Sequence, residues 1–174
     1  SDQGGCAGNG TAATAYEPGS GTSIMSYNGL CGADNVAGPT TNYYHVASLD
    51  MIRDYIVDGE GAGCGTTESG FTPVTIMSLG QSHNIPKNTA FELIADPATA
   101  SEPDPEITYN WEQYDLGHNT EMENASGGWD SGPTFMSKDP SLKRDHQYPD
   151  NALVAANTYA DVGQRLSTVE RTLT

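Results

Sequence analysis

Apolar and polar positions alternate differently in the two halves of this chain. Residues 1 to about 58 are largely polar and loop-like, with one amphipathic stretch in which Leu49, Ile52, Tyr55 and Ile56 recur at helical spacing. Ser48 is a good N-cap ahead of them, and Asp50 places a negative charge in the first turn, where the helix dipole favours it. The spacing therefore predicts a helix that follows the Ser48 cap and ends near Val57, before the glycine-rich run Gly59-Glu60-Gly61-Ala62-Gly63-Cys64-Gly65. Residues 59–72 read as a linker by composition.

From Pro73 onward the pattern is that of short strands. Val74-Thr75-Ile76-Met77 is one, and Ala90-Phe91-Glu92-Leu93-Ile94 is another, with Phe91 and Leu93 on one face and Glu92 on the other. Residues 107–114 alternate so as to bring Ile107, Tyr109 and Trp111 together, and Leu166 to Leu173 contains a last strand. Strands at this spacing, with a Trp in a middle one, predict an immunoglobulin-like antiparallel β-sandwich over 73–174 with Trp111 in its core. Gly117 to Asn157 is polar and proline-containing, with few strand signals, and reads as a long insertion. The final residues stop inside the last predicted strand, so the sandwich is expected to be incomplete there, with an edge left unpaired.

Charge narrows the partners. Lys plus Arg number 7 against 23 for Asp plus Glu, a formal charge of −16 that argues against nucleic acid and anionic membranes. No apolar run approaches the ~20 residues needed to cross a bilayer. The chain opens on Ser1-Asp2-Gln3-Gly4-Gly5 with no signal-peptide pattern, which points to a mature or truncated start. Asn9-Gly10-Thr11 and Asn124-Ala125-Ser126 match the glycosylation acceptor pattern. Cys6, Cys31 and Cys64 all fall in the first 64 residues, which supports a separate unit there. One disulfide plus an odd thiol is the simplest count, and the number alone does not say which two pair.

The segment Tyr16-Glu17-Pro18-Gly19-Ser20-Gly21-Thr22-Ser23-Ile24-Met25-Ser26-Tyr27-Asn28-Gly29-Leu30-Cys31-Gly32, continued by Tyr43-Tyr44-His45-Val46-Ala47-Ser48-Leu49-Asp50, carries more specific information. It resembles the Met-turn region of secreted bacterial reprolysin-like zinc peptidases, members of the metzincins. Ile85-Pro86-Lys87-Asn88-Thr89-Ala90-Phe91-Glu92-Leu93 and Thr108-Tyr109-Asn110-Trp111-Glu112-Gln113-Tyr114-Asp115 resemble, in the same order, the domain that follows the catalytic unit in those enzymes.

The resemblance implies residues 1–58 as the C-terminal subdomain of a metzincin-like catalytic domain, 59–72 as linker and 73–174 as the Ig-like sandwich. It implies a secreted, extracellular or cell-surface protein acting on protein or peptide substrate. Met25 would lie as a hydrophobic floor beneath three zinc-binding histidines, and Tyr27 matches a tyrosine that some metzincins place near zinc or the oxyanion. The helix at 48–57 would close the subdomain.

One half of the signature is missing. No H-E-x-x-H occurs in the 174 residues, and His45, His83, His118 and His146 are too far apart to be two ligands one helical turn apart. A catalytic zinc needs three protein ligands, an open position and a carboxylate base. Zinc is thus a cofactor of the resembled family whose ligands this chain lacks, and they are expected from an upstream catalytic segment. The chain alone is expected to be inactive. His45, between two tyrosines and the helix, is expected to hydrogen-bond the loop, and the other three histidines to be exposed.

The acidic stretch from Asp96 to Glu106 replaces an Asp/Gly-rich turn of related domains. Asp96, Glu102, Asp104 and Glu106, with Asp115 as a fifth, form an oxygen-rich set of the kind that holds calcium, and they equally suit a solvated acidic loop. Two functions stand beside each other at this point. One is a fragment of a secreted zinc endopeptidase. The other is an extracellular structural or adhesive β-sandwich subunit that self-assembles through strand edges.

Overall fold

A computed structural model describes residues 4–36, 38–70, 73–76, 78, 82–99, 106–117, 132–157 and 170–173. Regular structure is sparse: two helices, six short strands and three 3-10 turns among these residues. The strands pair antiparallel into three separate two-stranded ladders. β1 (Thr75–Ile76) pairs with β4 (Ala98–Thr99), β2 (His83–Ile85) with β6 (Arg171–Leu173), and β3 (Phe91–Ile94) with β5 (Asp145–Tyr148). The described residues are thus mostly loop, with two helices and short antiparallel β pairs.

α1 (Val46–Val57) begins three residues before the start that a cap at Ser48 predicts. Its N-cap is His45 and not Ser48: the imidazole Nδ1 accepts the Ala47 amide at 3.1 Å. Glu112 adds a carboxylate at the same end, its Oε2 accepting the Val46 amide at 2.7 Å. The positive end of the helix dipole favours that charge. Farther along, the Tyr114 hydroxyl donates to Asp50 at 2.8 Å, which raises its pKa to about 12. Segment 112–114 therefore fixes the first turns of α1.

β3 alternates as expected, with Phe91 and Leu93 half-buried and Glu92 and Ile94 exposed. Phe91 meets Phe135 edge-on at 5.9 Å, and Phe135 stacks on Tyr148 at 3.8 Å. His146, opposite Leu93 in the ladder, lies flat against Tyr148 at 4.2 Å and 4°. The Tyr148 hydroxyl donates to the Trp111 carbonyl at 3.2 Å, and the Trp111 indole N–H to the Arg144 carbonyl at 3.1 Å. Lys138 pairs with Asp150 and lies 5.6 Å from the Tyr148 ring. Burial pushes the Tyr148 hydroxyl far above its ordinary pKa.

Three expectations change. Residues 107–114 form an extended segment whose ladder contact is a single bridge, Tyr109 with Ser141. Side-chain tips secure it instead: the Tyr109 hydroxyl accepts the Ala98 amide at 2.9 Å, and Trp111 is half-buried at the cluster's margin. His146 is half-buried and not exposed, because the ladder turns it onto Tyr148. The stretch read as a polar insertion holds β5, α2 (Asn151–Ala156) and the buried Phe135, Ser137 and Tyr148. Met77, His118 and 166–169 lie outside the described residues. So does Asn124, whereas Asn9 is exposed.

Candidate functional site

The first residues of the Met25 segment form a polar scaffold. Glu17 organises it. Its Oε1 accepts the amides of Thr22 at 2.9 Å and Ser23 at 3.1 Å, and its Oε2 accepts the Ser23 hydroxyl at 2.5 Å. Such charge-assisted bonds are the stronger kind, and here they close a loop of six residues on itself. Gly21 makes the closure possible. It sits at φ 67°, and a Cβ there would lie 2.8 Å from Ser26 Cβ and 2.9 Å from Glu17 Oε2.

Backbone bonds tie the loop to its surroundings. The Tyr27 amide donates to the Ser20 carbonyl at 3.0 Å and the Ile24 amide to the Tyr43 carbonyl at 3.1 Å. The Thr22 carbonyl accepts both the amide and the hydroxyl of Thr41, at 2.8 and 3.0 Å. Below, Cys6 and Cys31 form a disulfide with Cα atoms 5.0 Å apart, and Cys64 is a free, exposed thiol.

Pro18 to Ser23 are buried by this network, yet the chain then turns its apolar side chains outward. Met25 is 64% exposed and Tyr27 46%, a reversal of the usual order of polar out and apolar in. Opposite them stands α1, which buries only Ala47 and leaves Met51, Ile52 and Tyr55 exposed. Between turn and helix lies an open groove of about 530 Å³, lined by Met25, Tyr27, Met51, Ile52 and Tyr55 together with polar residues, among them Asn9, Thr14, Glu17, Ser20, Ser26 and His45. Tyr16 stacks on His45 at 5.8 Å and meets Tyr114 at 5.0 Å, so the inner end of the groove is aromatic.

Met25 and Tyr27 thus come together on one groove. The proposed calcium residues do not take part: Asp96 and Glu106 are exposed, and Glu102 and Asp104 lie outside the described residues. Asp115 is exposed too, and its carboxylate accepts from Gln113. Among the described residues no three His, Cys, Asp or Glu side chains gather in a group able to hold a metal ion. His45, His83 and His146 stand on separate elements, and the His45 Nδ1 is taken by α1. The described residues therefore do not fit a zinc centre by themselves. No helix among them is long and apolar enough to cross a membrane.

Two residues of the site gave little warning. Glu17 stands in a Glu-Pro-Gly-Ser-Gly run that signals a turn but not a carboxylate folded inward. Glu112 lies in a different segment, and nothing local connects it to the N-terminus of α1.

No protein-family model matches the chain, and no characterised protein or solved structure matches it significantly.

Proposed function

We propose that this chain is the C-terminal part of the catalytic unit of a secreted metzincin-like zinc endopeptidase, joined to an accessory Ig-like sandwich over 73–174. One observation carries the reading: the Glu17 scaffold builds a firm turn that leaves Met25 exposed, lining a groove whose apolar side chains are Met25, Tyr27, Met51, Ile52 and Tyr55. A metzincin Met-turn has that task, since it supplies a hydrophobic platform beneath a metal site and no ligand. The zinc ligands and the general base come from an upstream segment that settles on the groove, and they alone supply the metal chemistry. Support for the sandwich is limited to the antiparallel ladders and the aromatic cluster beside Trp111. The Cys6–Cys31 disulfide accords with an oxidising compartment.

The coding sequence upstream of Ser1 tests this. The reading expects an H-E-x-x-H within ~40 residues, and its absence there contradicts the proposal. The purified 174-residue chain should show no chelator-sensitive cleavage of casein.

A second reading is a structural or adhesive subunit. It is favoured by the three two-stranded ladders, whose outer edges have no ladder partner among the described residues. Filaments or large oligomers in light scattering support it, and monomers of 18.4 kDa count against it.

A further inference from the structure

Among the described residues that line the groove, Glu17 carries the one formal charge, and no Lys or Arg lies with it. Its carboxylate pairs with no basic side chain among the described residues, in a chain whose formal charge is −16. His45 adds no positive charge, since its Nδ1 accepts the Ala47 amide at 3.1 Å and therefore holds no proton. The polar side chains of the lining spend their hydrogens within the chain. Asn9 donates to the Gly5 carbonyl at 3.2 Å, Thr14 to Thr11 at 3.3 Å, Ser20 to Gly21 at 3.1 Å and Ser26 to Ser23 at 2.6 Å. The Ser23 hydroxyl goes to Glu17 itself. What these groups keep is lone pairs. Tyr16, Tyr27 and Tyr55 add π electrons to the same walls. The lining is electron-rich throughout, and its complement is a positive charge.

We infer that the groove is a binding site for a small quaternary ammonium cation, its charge set against Glu17 and the tyrosine rings and its methyl groups against Met25, Met51 and Ile52. The state of Glu17 selects this kind of cation. The carboxylate already accepts the Thr22 and Ser23 amides and the Ser23 hydroxyl, so it offers an incoming group its charge more than a free bonding site. A primary ammonium has three N–H donors to place and gives up water bonds that such a lining does not replace. A quaternary ammonium has none to place and presents methyl groups to methionine and isoleucine side chains. Anions are repelled by the same carboxylate. A volume of about 530 Å³ is that of a small-molecule site. The inference goes beyond the peptidase reading and does not rest on it.

Choline and 3,3-dimethylbutan-1-ol share a shape and differ by one charge, so the pair reads the charge alone. Each is titrated at fixed ionic strength into the whole chain carrying ¹³C-methyl methionine, with the Met25 and Met51 methyl signals as readout. Choline should move both signals and bind at least about tenfold more tightly than the alcohol, with Nα-acetyl-lysinamide between them. Glu17→Gln keeps an oxygen for the two amides and lets the Ser23 hydroxyl turn to accept, so the turn stays while the charge goes. It should weaken choline about threefold to tenfold. Tyr55→Leu, at an exposed position, keeps apolar contact without the π system and should weaken choline about twofold to fivefold. Glu92→Gln removes an equal charge from the exposed face of β3 and should leave binding unchanged.

Met25 and Met51 signals unmoved by millimolar choline overturn the proposal, as does choline binding no tighter than the alcohol or than Nα-acetyl-lysinamide. Equal weakening by Glu92→Gln and Glu17→Gln also overturns it, because the attraction would then belong to the whole acidic surface. Binding that neither Glu17→Gln nor Tyr55→Leu weakens does the same. None of these readouts involves zinc, peptidase activity or an upstream segment, so failure of the protease reading leaves them standing.

Discussion

The Met25 turn and the Phe91–Phe135–Tyr148 cluster are opposite solutions to the same shortage of apolar residues. The cluster is built in the ordinary way, with aromatic rings inward, Tyr148 at 2% exposure, and polar tips bonded to backbone carbonyls. The turn is held by polar groups inward, from Glu17 to Thr22 and Ser23, and its apolar side chains face outward. A cluster of the first kind stabilises the fold by excluding water from its own rings. A scaffold of the second kind fixes a surface, and the free energy of covering that surface remains for a partner. The contrast separates a region that buries its apolar side chains from one that holds them at the surface.

Truncation is the strongest way to break the contrast. Tyr148→Ala should destabilise by about 3–5 kcal/mol, since it empties the centre of the cluster and removes the bond to Trp111. Met25→Ser, in the same urea titration, should shift stability by no more than about 0.5 kcal/mol, as expected of an exposed position. Equal effects at the two positions would erase the distinction.

Glu17→Ala comes next. It strips the acceptor from two amides and one hydroxyl, with Thr22 and Ser23 both buried, and should cost on the order of 3 kcal/mol. A variant as stable as the wild type would mean that the turn does not depend on its carboxylate.

A smaller effect belongs to the cluster alone. Burial, with help from nearby Lys138, lowers the pKa of His146 to about 4, below its ordinary 6.5, while Asp150 and Asp145 oppose the shift. The unfolded chain therefore binds the extra proton first. The stability tied to neutral His146 is complete above about pH 6.5 and is lost as pH falls through about 4. His146 is only half-buried, so the loss is discounted for solvent to about 1–2 kcal/mol. His146→Phe should flatten stability between pH 6.5 and 4.5 relative to the wild type. An unchanged slope would place the ring in water.

A conditional effect concerns the acidic stretch ending at Glu106. If Asp96, Glu102, Asp104 and Glu106 converge on calcium, a concentration 100 times the dissociation constant stabilises the chain by about 2.7 kcal/mol. Magnesium, which gives up its waters reluctantly, should do less. Melting at fixed ionic strength decides it, and equal temperatures in calcium, magnesium and chelator leave a solvated loop.

What the sequence disclosed depended on whether the cause was local. α1 and β3 were legible because Leu49, Ile52, Tyr55 and Ile56, and likewise Phe91 and Leu93, repeat within a few residues. The cap of α1 was not, because Ser48 outranks histidine by general preference, whereas here the His45 imidazole accepts the Ala47 amide. Phe135 and Tyr148 stand in stretches without a strand pattern: Tyr148 is buried where it pairs with the distant Phe91 across the β3–β5 ladder, and Phe135 where its ring meets those of Phe91 and Tyr148. Residues 107–114 showed strand alternation, but Tyr109 and Trp111 spend their hydrogen bonds through side-chain tips and the backbone follows no ladder beyond one bridge. Met25 and Tyr27, named from the resemblance, both line the groove, whereas nothing local in the sequence marks the Glu17 carboxylate as the group that holds their turn.

The central claim is that the Met25 turn is firmly built before anything covers it. Native-state hydrogen exchange at the Thr22 and Ser23 amides measures this directly. Both amides donate to Glu17. The account predicts that they exchange at least about a hundredfold more slowly than an unprotected chain, in the free protein with Met25 exposed to solvent. Exchange at the unprotected rate would show a turn that forms only when a partner arrives, and would contradict it.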